Sequence, residues 1–308
     1  MIPFYFMYDK TDIDKKKIVE RYMRMNLNKR RLFAQKQLDE WCRKYLQKED
    51  GEYTFKDIIT ASPHELTTLK KYMDEHFTDF QQYNKELRFN LSTKQIDFSC
   101  NNYVISYLFE KMNKDAKKLL IESLNNRVCP YCNRNYVFSV DYVNTCQLDH
   151  FYNKSKYPIL AASFYNLIPV CSVCNLKKSA KDFLFNPHIN QDEMFRFSYS
   201  IKGADFYKNE DSIDIEIIPN DEKYQEQIDD LQLKKIYQGH KDIVLDIAQK
   251  HRIFSDEYLQ SIKEEFGFHD SVQTLKELIY NVPLDSEKRN TRPLSKLTQD
   301  ILEEMESI

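Results

Sequence analysis

Two cysteine pairs with the same internal spacing constrain this chain more than any other feature: Cys129-Pro130-Tyr131-Cys132 and Cys171-Ser172-Val173-Cys174, with 38 residues between them. A C-x-x-C segment turns so that both thiolates converge on one side, and two such knuckles supply the four sulfurs of a tetrahedral metal site. The chain has seven cysteines, of which Cys42, Cys100 and Cys146 stand outside the pairs. An odd number argues against a disulfide framework and for metal. The spacing therefore predicts a structural Zn2+ held by Cys129, Cys132, Cys171 and Cys174, where a set of unrelated buried cysteines would need no such pattern. A closed four-sulfur site has no open coordination position, so this zinc is expected to hold the fold rather than act on substrate. Cys146 is expected to be a small buried hydrophobe.

Composition removes several function classes. The four glycines, Gly51, Gly203, Gly239 and Gly267, lie far apart. Walker-type phosphate loops and dinucleotide fingerprints need clustered glycines, so neither is expected, and any ATP-dependent step falls to a partner. No apolar run approaches the roughly 18 to 20 residues of a membrane span. The opening Met1-Ile2-Pro3-Phe4-Tyr5-Phe6-Met7 is too short and too soon charged for a secretory signal, so a cytoplasmic location is expected. The formal net charge is −3, yet Arg127 to Asp182 carries seven Lys or Arg against three acids. The segment that spans the two cysteine pairs and their flanks is thus basic within an acidic chain.

Patterning divides the chain into three expected regions. Residues 1–125 read as helical, with apolar residues at helical spacing (Ile18, Tyr22, Met25; Leu32, Leu38, Trp41, Tyr45). Ser62-Pro63-His64-Glu65 has the form of a capping box that starts a helix, and a further helix is expected from Asp115 to Asn125. Asn28-Lys29-Arg30-Arg31 is either a solvated helix face or a phosphate contact. Residues 126–190 break the helical pattern. Residues 191–308 begin with two alternating strands, Phe195–Ile201 and Ile213–Ile217, and return to helical periodicity from about Asp221, interrupted near Asn281-Val282-Pro283.

Between and beside the knuckles lie Asp149-His150, then Asn166-Leu167, then Asn175 directly after Cys174. This order, C-x-x-C … Asp-His … Asn-Leu … C-x-x-C-Asn, resembles the HNH (ββα-metal, His-Me finger) endonucleases. The resemblance implies a largely helical α+β protein with a small zinc-stapled ββα-metal core at 126–190. That core would lie between the helical N-terminal region, expected to meet a partner or nucleic acid, and a C-terminal β-hairpin-plus-helix region expected to dock a partner. It also implies His150 as general base, Asp149 and Asn175 as ligands of a catalytic Mg2+ or Mn2+, and Asn166 as brace of the loop that carries the base. A neutral imidazole with an ordinary pKa near ~6.5 suits proton abstraction from water at neutral pH. Hard oxygen ligands suit a divalent ion that offsets charge on the phosphate. Asp149 and His150 are adjacent in a strand-like run and point to opposite faces, so the chain must bend after His150. Asn175 also has a plainer reading as the N-cap of the helix after the second knuckle.

Lys154, Lys156, Lys177, Lys178 and Lys181 are candidates for phosphate contact, with a solvated face as the alternative. His188 is expected on the surface or in a hydrogen bond. The run Asp149–Pro158, followed by Phe164–Pro169, resembles the bacterial antiphage Septu-type branch of HNH proteins, whose subunits work beside an ATPase. That implies an antiviral nuclease acting on double-stranded DNA, with an ATPase partner and no membrane. A non-catalytic zinc-ribbon adaptor and an RNA-directed nuclease are the competing readings.

Overall fold

The computed structural model describes residues 1–4, 11–27, 35–47, 51–77, 101–267 and 271–307. The basic run 28–31 and Cys100 lie outside the described residues. Contacts among the described residues divide the chain into two compact units, one formed by 4–125 and 138–189 and the other by 1–3, 126–137 and 190–308.

The first of these is helical around a small sheet. Helices α1 (Asp12–Asn26), α2 (Gln35–Tyr45), α3 (Phe55–Thr60) and α4 (Pro63–His76) come first. The expected capping box is present: Ser62 Oγ accepts from the Glu65 amide while the Glu65 carboxylate accepts from the Ser62 amide. A second box, Thr54 with Asp57, starts α3. The buried stripe of α1 runs through Val19, Tyr22 and Asn26, so Tyr22 of the expected set faces inward while Ile18 is half-buried. A π-helix spans Asn101–Phe109, and α5 runs Lys114–Ser123 with Asn113 as its N-cap. Helix α1 packs on α5 and α3.

Three strand pairs follow the motif order. The hairpin β1 (Ser139–Val140) and β2 (Val143–Asn144) turns through Asp141 and Tyr142, both at positive φ (46° and 67°). Two successive positive φ angles mark the primed turn that matches strand twist. Strand β3 (Gln147–His150) pairs antiparallel with β4 (Leu167–Val170), His150 opposite Leu167, and α6 (Ser172–Lys178) follows and packs on β3. This strand–strand–helix order is the ββα arrangement expected of the core. Cys171 is the N-cap of α6, so the helix begins inside the second knuckle and Asn175 sits within it rather than capping it. The helix stops at Lys178; Ser179 follows at φ 49°, which places Lys181 beyond the helix rather than on it.

The other unit contains β5 (Phe195–Ile201) and β6 (Ile213–Pro219), antiparallel from Phe195↔Pro219 to Ile201↔Ile213, where the alternating pattern put them. Helices α7 (Gln225–Asp230), α8 (Leu233–Tyr237), α9 (Lys241–Ile253), α10 (Asp256–Phe266), α11 (Val272–Tyr280) and α12 (Ser295–Glu306) complete it. Asn281 ends α11 in the left-handed region at φ 57°, the interruption expected near Pro283. Strand β5 packs on α12 and β6 on α9. Beneath them lies a buried charge cluster. Arg289 meets Glu193 at 2.6 Å and Asp300 at 3.2 Å, Lys296 meets Asp300 at 2.9 Å and also pairs with Glu193, and Asp300 accepts the Phe197 amide at 2.8 Å. Among the described residues no helix is long and apolar enough to cross a membrane.

Candidate active site and metal centre

The four paired cysteines are buried, and their sulfurs lie within 4.8 Å of one another. A tetrahedral thiolate site with metal–sulfur bonds near ~2.3 Å places its sulfurs about 3.8 Å apart, so the donor set fits one metal ion. Backbone bonds shape the first knuckle: the Asn133 amide donates to Cys129 O at 2.7 Å and the Cys129 amide to Asn135 O at 2.8 Å. Asn133 itself takes a positive φ of 53°. The Cys132 carbonyl also accepts a hydrogen bond from the Tyr237 hydroxyl.

A second centre surrounds β3. Asp149, His150 and Asn175 all line one cavity of about 850 Å³, together with Phe109, Lys117, Tyr142, Cys146 and Lys154. The His150 ring is 8% exposed and lies edge-on to Phe109, with ring centres 4.2 Å apart. Its Nε2 sits 3.0 Å from the Ala161 carbonyl oxygen. A carbonyl only accepts, so Nε2 carries the proton and Nδ1 keeps its lone pair. Burial, joined by the positive charge of Lys154, pushes the His150 pKa down to about 3. Both effects disfavour the cation, and the ring is a neutral base at pH 7.

Asn166 is fully buried and ties the two ends of the loop 151–166 together. Its Oδ1 accepts from the Tyr152 amide at 2.7 Å, and its Nδ2 donates to Leu160 O at 3.0 Å and Tyr152 O at 3.2 Å. Asn175 Nδ2 donates to Gln147 Oε1 at 2.6 Å, which turns Oδ1 into the atom that can bind a cation.

The lysines separate. Lys178 is 0% exposed, pairs with the Asp149 carboxylate at 3.2 Å and donates to His150 O at 2.8 Å. The expectation of a solvated or phosphate-binding Lys178 is corrected: an ammonium buried this deeply is retained because a carboxylate and a carbonyl neutralise and bond it. Lys156 is also engaged, 2.8 Å from Asp74. Lys154 lines the cavity, 3.9 Å from Glu110 and 4.9 Å from the Phe109 ring. Lys177 is half-buried and Lys181 exposed, and neither is among the cavity's lining residues. His188 is half-buried: it packs edge-on to Phe4 and Tyr165 at 4.8 and 5.2 Å, and desolvation lowers its pKa to about 4 despite a backbone hydrogen bond at Leu167. Cys146 is buried as expected, with its thiol pushed up to about 11 by burial.

Sequence reasoning missed Phe109, Lys114, Lys117 and Tyr142, which line the same cavity from the π-helix, α5 and the β1–β2 turn. Phe109, Lys114 and Lys117 lie before the segment that carries the motif order, and Tyr142 lies within it at a position the motif does not specify. The charge excess on α5 (Lys114, Lys117, Lys118) was the one signal available.

Comparison with known proteins singles out the same stretch of the chain. Residues 129–181 match the family model of the HNH endonucleases, so over that segment the chain is similar to that class of metal-using nucleases. Among individual proteins it is 31% identical over 104 residues to the Septu protein PtuB of Bacillus thuringiensis. That alignment covers 32% of this chain and 39% of the relative's length. No solved structure matches the chain.

Proposed function

We propose that this chain is a metal-dependent HNH endonuclease and the cutting subunit of an antiphage defence system. The observation that carries the reading is the orientation of His150. Its Nε2–H is tied to the Ala161 carbonyl and its ring lines the cavity shared by Asp149 and Asn175. An imidazole so held presents a lone pair to a water molecule and takes its proton as that water attacks phosphorus. Asp149 and the Oδ1 of Asn175 would hold a Mg2+ or Mn2+ ion, which offsets charge on the phosphate and on the departing oxygen. Lys178 keeps the Asp149 carboxylate in place from behind. Asn166 closes the loop so that the Ala161 carbonyl stays under the ring. Cys129, Cys132, Cys171 and Cys174 would hold a structural zinc.

Lys117 and Lys154, both lining the cavity, suit the phosphates flanking the scissile one. Double-stranded DNA is the proposed substrate, and an ATPase the proposed partner, by analogy with the Septu similarity. The test incubates the purified chain, alone and with the product of any adjacent ATPase gene, with DNA and RNA in Mg2+, Mn2+ or EDTA. Metal-dependent DNA cleavage that His150→Ala abolishes is the expected result. Cleavage of RNA alone would move the substrate assignment. Full function of the His150→Ala chain would make the protein a zinc-ribbon adaptor instead.

A further inference from the structure

The loop that returns from β3 to β4 is held at four consecutive residues, each by a different group. Leu160 O accepts from Asn166 Nδ2 at 3.0 Å and Ala161 O meets His150 Nε2 at 3.0 Å. Ala162 O accepts from the Tyr22 hydroxyl of α1 at 2.9 Å, and the Ser163 hydroxyl donates to Ile58 O of α3 at 2.8 Å. Tyr22, Ile58, Ala161, Ala162, Ser163 and Asn166 are all buried. The helices α1, α3 and α4 pack on the short turns 158–160 and 164–166 within this loop. Farther out, Asp74 of α4 accepts from Tyr157 at 2.6 Å and pairs with Lys156 at 2.8 Å.

We propose that α1 and α3 form a second brace for the catalytic base, in which Tyr22 and Ser163 are positioning residues that hold the chain immediately after the Ala161 carbonyl, opposite the Asn166 tie before it, and so fix the tautomer and aim of His150. This rests on the assignment of His150 as the base. A carbonyl can set the ring only if it cannot turn away, and Asn166 secures only the residue before it. The residue after it is secured by a hydroxyl from a helix more than a hundred positions earlier in the sequence. A misplacement of about 1 Å in a catalytic group can cost on the order of a hundredfold in rate, so loss of this tie should appear in turnover before it appears in binding. The helical N-terminal region is then part of the catalytic apparatus.

The test uses the full chain carrying Tyr22→Phe, which keeps the ring and removes the donor, or Ser163→Ala. Nitrogen NMR of the His150 ring reports the tautomer without requiring cleavage. Each variant is expected to fold, to convert the single Nε2–H tautomer into a mixture, and to lower kcat about ten- to a hundredfold with KM little changed. Wild-type tautomer and kcat in both folded variants would overturn the proposal. So would loss of fold in both, since the ties would then be structural only. A His150→Ala chain that still cleaves would defeat the functional reading instead, while the ring measurement would still report on the ties.

Discussion

Two regions among the described residues bury paired charge, and they do so in different surroundings. Around Glu193, Arg289, Lys296 and Asp300 the buried Lys296 meets two carboxylates and Arg289 three, the third from Glu303, and Asp300 also accepts a backbone amide. Around β3 a buried Lys178 meets one carboxylate, Asp149, and that carboxylate and the neighbouring imidazole border an 850 Å³ cavity. The first set is a closed network, in which the desolvation of each charge is offset by its neighbours. The second has the same ingredients but opens to a space large enough for substrate. Buried charge by itself therefore does not mark a functional site here. Access does.

The largest effect is expected at the four-cysteine site, which belongs to neither network. Chelation of the bound metal, or Cys132→Ser, is expected to abolish the cooperative thermal transition, because structural zinc contributes on the order of 10 kcal/mol to such folds. Metal analysis of folded protein should find one zinc per chain, and a well-folded metal-free chain would contradict the prediction. His150→Ala should come next, removing cleavage by about 10²- to 10⁴-fold while the melting curve stays near wild type. In the closed network the pattern should reverse: Asp300→Ala is expected to destabilise by about 3–5 kcal/mol, since it strands buried cations and the Phe197 amide. Denaturant titration measures this, and per-folded-molecule activity should be unchanged.

Acid sharpens the contrast. His150 and His188 have folded pKa values of about 3 and 4 against an ordinary 6.5. Each is neutral in the fold and would be charged in the unfolded chain below 6.5. The stability they contribute is complete above about pH 6.5 and is lost as the pH falls toward 4 and then 3. Thermal melts across that range should show the decline, and His188→Leu should lessen it. The smallest effect is expected at Lys117. Lys117→Gln should weaken nucleic-acid binding several-fold and reduce the salt slope by about one, as for one lost phosphate contact. An unchanged slope would remove α5 from the substrate path.

The residues of the candidate site were more legible in the sequence than the residues that support them. The knuckle spacing, Asp149, His150, Asn166 and Asn175 could be picked out because a fixed order of residue types carries them. Strands β5 and β6 were readable from strict alternation, and α4 from its capping box. Lys178 was misread because a lysine beside another lysine on a short helix has the pattern of a solvated face, and only the fold supplies the buried carboxylate that holds it. Tyr22 and Phe109 carried no local signal of where they sit, and Lys117 only the run of lysines on α5. Tyr22 appeared only as one apolar position of a helix, and its hydroxyl gains meaning through a carbonyl at Ala162, 140 positions away. Sequence patterns report what an element needs for itself; they do not report what it does for a distant loop.

The β1–β2 turn places a tyrosine where a chain would ordinarily choose asparagine or glycine, since Tyr142 sits at φ 67°. Its side chain offsets that strain: the hydroxyl donates to Asp115 at 2.9 Å and the ring lies under the Lys118 ammonium at 5.3 Å. A protein engineer who swapped Asp141-Tyr142 for Asn-Gly would obtain a sturdier hairpin and a cavity with one wall missing. The residue sacrifices local comfort to wall the cavity, so the width of that space depends on a side chain the turn itself would not select.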